Sequence, residues 1–325
     1  MPSRIQPNEI HLTRIFDAPL ALVWDAWTHD AKVGHWWGPR GFSLTTHSKD
    51  FRPGGSWHYT MHGPDGKDYP NRTDYLEIEK HVRMVYDHGA DNDAPPMFRV
   101  PVGFEEIDGR SAMDMTMAFS TPEVAANTKK FIKKAGGDAT WDRLAEYLAA
   151  TKSGEDLFVI NRSFEAPMEV VYDQWAKPEN LSRWLPPTGS NMEFIRADMR
   201  VGGESLYRMA KENVTMHGRI RYLEMQPPHR IVYVQQFCDA QGKSARHPLS
   251  PTWPETMRTT VLFAKEGDDQ TRITVIWSVE GHATPEERTT FHGAKSGMTQ
   301  GWTGSFDKLE AVLKPWAISD EDAQG

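Results

Sequence analysis

Besides the abundant carboxylates and lysines, histidine, tyrosine and cysteine carry acid–base or metal chemistry, and the chain has 13, 9 and one of them. His58 and His62 stand four apart in a segment that alternates like a strand, which separates them by roughly 13 Å, too far to share one ion. On a helix that spacing would suit a metal; on a strand both read as exposed histidines. No carboxylate–histidine cluster of helical spacing supports a metal site elsewhere. His217 and Arg219 fall on an expected strand just before Tyr222. If that strand turns them inward, a buried His beside Tyr or Arg becomes an acid–base candidate, whereas the usual exposure of Arg favours the solvent face. His247 opens the stretch His247-Pro248-Leu249-Ser250-Pro251-Thr252-Trp253-Pro254, where it either reaches a ligand or stays on a loop surface. Cys238 reads as a strand residue near that loop. As the only cysteine it excludes an intramolecular disulfide and a cysteine-based zinc site. No Ser-His-Asp order or Cys-His arrangement can be assembled. Gly54-Gly55 and Gly202-Gly203 are turn glycines and not a phosphate cradle, because neither pair joins a strand to a helix in a Gly-x-Gly-x-x-Gly frame. The reading includes no metal and no cofactor.

The elements that must position these residues come in two copies. Trp36-Trp37-Gly38-Pro39 running to Asp50-Phe51-Arg52-Pro53-Gly54-Gly55 recurs as Trp184-Leu185-Pro186-Pro187 running to Asp198-Met199-Arg200-Val201-Gly202-Gly203, with every spacing unchanged. Upstream, Arg14, Phe16, Ala18, Pro19, Val23, Asp25 and Trp27 recur as Arg162, Phe164, Ala166, Pro167, Val171, Asp173 and Trp175. Downstream, Tyr59 and Met61 recur as Tyr207 and Met209. A constant offset held this long is a duplicated folding unit. We therefore expect a domain over 1–150, a linker over 151–156 and a second domain over 157–325.

Each copy reads as a strand, two helices, a run of antiparallel strands and a closing helix, an α+β unit whose sheet curves around one helix. Leu20, Val23, Trp24 and Trp27 fall at i, i+3, i+4 and i+7 behind Pro19, which suits a first helical turn. A second short helix is expected over Asp30 to Trp36. The paired glycines supply the hairpin between Ser43–Phe51 and Ser56–His62, whose Trp57, Tyr59 and Met61 share an inward face. Thr121-Pro122-Glu123 opens a helix reaching Ala150, broken or kinked at Gly136-Gly137; Thr284-Pro285-Glu286 opens one reaching about Leu313. The second copy alone carries an insertion over 239–255, expected as a lid or packed flap.

Twelve Trp and fifteen Met suggest interiors lined by wide, adaptable apolar groups. A net charge of -8 and a pI near 5.9 argue against nucleic acid as a partner. The densest basic spot, Lys129-Lys130 with Lys133-Lys134, reads as the wet face of a helix. No apolar run is long enough to span or insert into a bilayer, and the N-terminus lacks a signal-peptide core, so a cytoplasmic setting is expected.

Asp-Ala-Pro before the first helix, Trp-Trp-Gly-Pro after the second, Arg-Pro-Gly-Gly at the hairpin, Tyr86-Asp87-His88-Gly89, and Gly301-Trp302 entering the last helix resemble the START-like superfamily, also called SRPBCC or the helix-grip fold. Within it the chain is similar to the bacterial homologues of the activator of the heat-shock-protein ATPase, the AHSA-like branch. The resemblance covers nearly the whole chain as two tandem helix-grip domains. It implies a deep apolar cavity between sheet and last helix, lined by Trp36, Trp37, Tyr59, Met61 and Trp141 in the first domain. In the second the lining residues are Trp184, Tyr207, Met209, Tyr233, Trp277, Met298, Trp302 and Phe306. Gly136-Gly137 stands where the second copy has Gly301-Trp302, so the first cavity should be roomier or its helix bent. The family's range supports three functions: binding of a small hydrophobic, lipid-like or polyketide-like molecule; a cyclase, dehydratase or hydrolase using His217, Tyr233 or His247; and, by family name alone, a co-chaperone. An intramolecular pseudo-dimer of the two copies is a further expectation.

Overall fold

The computed structural model describes residues 6–91, 94–134, 139–266 and 269–316. The chain divides into two compact units, 1–155 and 156–325. The first unit runs β1 (Glu9–Phe16), α1 (Leu20–Thr28), α2 (Asp30–Val33), β2 (Ser43–Lys49), β3 (Ser56–His62), β4 (Asp68–Glu79), β5 (Arg83–Ala90), β6 (Phe98–Ile107), β7 (Arg110–Phe119), α3 (Pro122–Lys134) and α4 (Ala139–Ser153). Its sheet has the order β1-β7-β6-β5-β4-β3-β2, with every pair antiparallel. The second unit repeats this with β8 (Phe158–Phe164), α5 (Met168–Ala176), α6 (Pro178–Trp184), β9 (Asn191–Arg196), β10 (Glu204–Lys211), β11 (Val214–Gln226), β12 (Arg230–Cys238), β13 (Met257–Lys265), β14 (Thr271–Val279), α7 (Pro285–Gly293) and α8 (Lys295–Leu313). Its sheet order is β8-β14-β13-β12-β11-β10-β9.

Local sequence accounts for the shared hairpins. Gly54 holds φ +78°, and a Cβ at Gly55 would stand 2.1 Å from the Asp50 carbonyl oxygen. At Gly203 the same clash with Asp198 would come at 2.2 Å, so both turns require glycine. Each first helix buries its apolar stripe, Val23, Trp24 and Trp27 in one copy and Val171, Tyr172 and Trp175 in the other. A tryptophan further along locks each down: Trp36 Nε1, in the turn after α2, donates to Ala26 O, and Trp184 Nε1, the last residue of α6, donates to Gln174 O, both at 3.1 Å.

The first closing segment is two helices, α3 and α4, in line with its expected break, and Gly136-Gly137 themselves lie outside the described residues. Three expectations need correction. The second closing segment is also two helices, because the chain turns at Ala294, whose N–H is shared between Thr290 O and Phe291 O. α4 extends through Ser153, which leaves only 154–156 of the expected linker outside helix and strand. α2 stops at Val33, short of Trp36. Among the described residues no helix is long and apolar enough to cross a membrane.

Candidate binding interior of the second unit

The inner face of the second sheet carries one polar and aromatic row. In register, Tyr222 on β11 faces Tyr233 on β12, Tyr233 faces Thr259 on β13, Thr259 faces Trp277 on β14, and Trp277 faces Phe158 on β8. The ring centroids of Tyr222 and Tyr233 are 6.1 Å apart, and Trp277 meets Trp302 of α8 edge-on at 5.8 Å. Trp302 stacks on Trp175 of α5 at 5.9 Å and meets Phe306 at 5.3 Å. Trp184 lies against Phe306 from the other side. Tyr207 and Met298 pack on the edge of this cluster.

Polar atoms in this apolar setting are left over. Trp175 Nε1, Tyr222 Oη, Thr259 Oγ1 and Trp277 Nε1 are buried with no hydrogen bond of normal geometry. Burial pushes the Tyr207 and Tyr222 hydroxyls up to about 12 and raises Tyr233 further. All three stay neutral near pH 7, able to donate or accept a hydrogen bond but poorly suited to act as bases.

The row gives way to sulfur toward one end of β10. Met209 faces Met216 on β11 and Met192 on β9. Met209 lies beyond the buried cluster, although the resemblance placed it in the lining. Tyr207 lies flat over β11 because Gly218 opposite has no side chain; a Cβ there would come within 2.3 Å of the phenol.

The insertion over 239–255 is a packed flap. His247 meets Phe237 of β12 at 4.5 Å, Trp253 meets Phe291 of α7 at 6.0 Å, and Thr290 Oγ1 donates to Thr252 Oγ1 at 2.8 Å. Arg246 pairs with Glu287, the residue that closes the α7 capping box with Thr284. His247 Nδ1 accepts from its own loop, the Leu249 N–H at 3.0 Å, and burial lowers its pKa. His217 is elsewhere. Its neighbour Gly218 faces inward under Tyr207, so His217 points to the outer face of the sheet opposite Arg208. Arg219 shares that face and donates through Nε to Gln236 Oε1 at 2.8 Å. His217 and Tyr233 therefore do not form one acid–base site.

The first unit also buries Trp27 Nε1 and Thr73 Oγ1 without a hydrogen bond of normal geometry, but its sheet has no matching polar row, since Tyr75 faces Tyr86 and Tyr86 faces Val100. Trp36 and Tyr59 are fully buried, and Trp37 and Met61 pack against the core. Trp141 stacks on Trp27 at 5.4 Å, as Trp302 does on Trp175, so Thr140-Trp141 and not Gly136-Gly137 is the counterpart of Gly301-Trp302. Trp57 stacks on Tyr59 at 4.0 Å and touches Trp37 at 5.4 Å. The second copy has Ser205 and Leu185 at these two places. The space left between Trp27, Trp37, Trp57, Thr73, Tyr75 and Tyr86 is about 10 Å³, room for about one water.

Two ionisable groups of the first unit escaped the sequence reading. His88 faces inward opposite Thr73, its ring 4.9 Å from Phe98, and burial lowers it to about 4. Its Nδ1 stands 3.5 Å from Tyr59 Oη, which accepts from Trp37 Nε1 at 3.2 Å. The alternation Met84, Tyr86, His88 was the available signal. Lys49 has a fully buried side chain whose Nζ caps the end of α1, donating to Thr28 O at 2.9 Å, with Trp57 beneath it at 5.0 Å. Burial lowers it to about 8. His58 and His62 each bind their own carboxylate, Asp91 and Asp68. Among the described residues no group of three or more His, Cys, Asp or Glu is placed to hold a metal ion.

An antiparallel sheet gripping a C-terminal helix over an aromatic core, built twice in one chain, defines a tandem helix-grip protein of the START-like kind. The chain belongs to the family described as activator of Hsp90 ATPase homolog 1-like protein, whose model matches residues 17–149 and again 165–314. A comparison with curated proteins returned no match. Among solved structures, protein NE0264 from Nitrosomonas europaea is 22% identical over 46% of this chain and 99% of its own, with a TM-score of 0.42. Protein CV1439 from Chromobacterium violaceum is 27% identical over 49% and 97%, at 0.38. The di-domain ARO/CYC BexL of the BE-7585A biosynthetic pathway is 15% identical over 96% and 99%, also at 0.38.

Proposed function

We propose that the second unit binds a small, largely aromatic molecule between its sheet and α8, and that the molecule carries hydrogen-bonding groups. The observation that carries this reading is a set of buried polar atoms with no hydrogen bond of normal geometry, Tyr222 Oη, Thr259 Oγ1 and Trp277 Nε1, on three strands of one four-strand row amid apolar rings. Tyr222 reaches only toward Ser205 and Thr259 only toward Tyr233, while Trp277 Nε1 has no partner among the described residues. Such groups cost stability in an empty protein and recover it when a ligand supplies partners. Tyr, Trp and Met around them offer flat and adaptable contact surface. A polyketide-like polyphenol matches this better than a plain acyl chain, which has no partner for the row. Binding is favoured over turnover, because the tyrosines that reach the interior are held neutral and His217 lies on the other face.

The test is a thermal-shift titration with a panel of flavonoids and polyketide-like phenols against fatty acids of similar size. Phenols should raise the unfolding midpoint and fatty acids should not. A double variant, Thr259→Val with Trp277→Phe, removes two stranded polar atoms. Without ligand its stability should change little, since relief of the unpaired groups offsets the indole volume lost, and its phenol-induced shift should shrink. A panel that leaves the midpoint unmoved, or a variant that responds as the parent does, counts against the reading.

A further inference from the structure

A groove of about 440 Å³ lies on the outside of the second unit, between α5, α6 and the turn after α8. Val170, Val312, Pro315 and Trp316 form its apolar part, and the Trp316 indole is 44% exposed. Three features mark it as more than a dent. Gln174 lines it and is only 5% exposed, yet its Oε1 has no partner; its Nε2 reaches only the Val170 carbonyl at 3.4 Å. Arg183 at the rim is exposed and makes no ion pair among the described residues, while the neighbouring Lys177 is already held by Asp173 at 2.6 Å. The other copy is built differently at the same place.

The first unit supplies that contrast. Trp36 bonds Ala26 O as Trp184 bonds Gln174 O, so Ala26 stands where Gln174 does. The counterpart of Arg183 is His35, whose ring stacks flat on Tyr147 at 5.8 Å, and Lys32, at the place of Asn180, pairs with Asp25. There the polar groups satisfy one another. In the second unit a buried acceptor has no partner among the described residues, and a solvated guanidinium stands clear of their carboxylates beside an open indole.

We propose that this groove is a second binding site, for a small apolar carboxylate that also carries an N–H or O–H donor. The carboxylate would take the fork of Arg183, the geometry for which a guanidinium is suited. The donor would satisfy Gln174 Oε1, and the apolar body would lie on Trp316 and Val312. The volume is within the range of small-molecule sites. The groove is separate from the interior row, so this proposal and the interior reading stand or fall independently.

N-acetyl-L-phenylalanine has all three groups and is the probe, titrated against the full chain by saturation-transfer NMR. Its methyl ester lacks the charge, and 3-phenylpropionate lacks the donor. The acid should bind saturably and the ester about tenfold more weakly, the usual order for one charge-assisted contact. Arg183→Gln should weaken the acid by a similar factor and leave the ester unchanged. Gln174→Ala, which copies the residue of the first unit, should weaken N-acetyl-L-phenylalanine and spare 3-phenylpropionate. Trp316→Ala should weaken all three. Arg183 and Trp316 are surface residues, so those variants remain informative even if Gln174→Ala perturbs α5. Absence of saturable binding, or acid binding unchanged in Arg183→Gln and Trp316→Ala, overturns the proposal.

Discussion

Trp184→Ala will destabilise the second unit by about 3–5 kcal/mol, the range for deleting a large buried aromatic. The indole is fully buried, meets Trp175 at 4.8 Å, lies against Phe306, and gives its one N–H to Gln174 O. Truncation would leave an indole-sized void between α5, α6 and α8, and the stranded Gln174 carbonyl would lose its donor. Rigid neighbours on three sides prevent the void from collapsing. Urea unfolding followed by fluorescence should show a lowered midpoint in the transition assigned to the second unit. Trp184→Phe refills much of the volume without the N–H, so it should cost well under half as much. Equal losses for the two variants would mean that the hydrogen bond, not packing, holds the helices together.

The second large effect is acid sensitivity through His88. Its pKa of about 4 in the folded protein is below the ordinary 6.5, because burial against Phe98 disfavours the imidazolium. The unfolded chain therefore binds the proton that the folded chain refuses, and stability falls as pH drops from 6.5 toward 4. Above 6.5 the contribution is constant. Over that window the loss is at most about 3 kcal/mol, with a slope below about 1.4 kcal/mol per pH unit, because the ring is half-buried at the edge of an open groove. His88→Gln keeps an acceptor near Tyr59 Oη and has nothing to protonate. The difference in stability between parent and variant should vary with pH between 6.5 and 4 and be flat above it. A difference independent of pH across that window would show that His88 titrates normally and is open to solvent.

The duplication, the strand and helix order and the inward Trp and Tyr positions were all readable from one chain. They depend on spacing and on local rules that hold before folding: a hairpin that admits only glycine, a proline at a helix start, an apolar stripe of period 3.6. Gly55 and Gly203 are the clearest case, since each sits where any Cβ would strike a carbonyl three ångströms or less away. The same spacing logic failed at Gly136-Gly137, because the closing helices differ in length before the shared Trp and a constant offset no longer applies.

What only the tertiary structure decided is which side chains meet across strands. His217 and Tyr233 are both plausible by type, and a one-residue difference in face separates them. The Lys49 side chain is buried and His88 half-buried because neighbours from other elements close over them, which overrides the average exposure of their types. The polar row from Tyr222 to Trp277 exists only through the register of four strands, and the outer groove only through the approach of α5, α6 and the end of α8. Sequence fixes the period of each element locally; register and helix approach are set by long-range packing, and that is where both proposed sites are made.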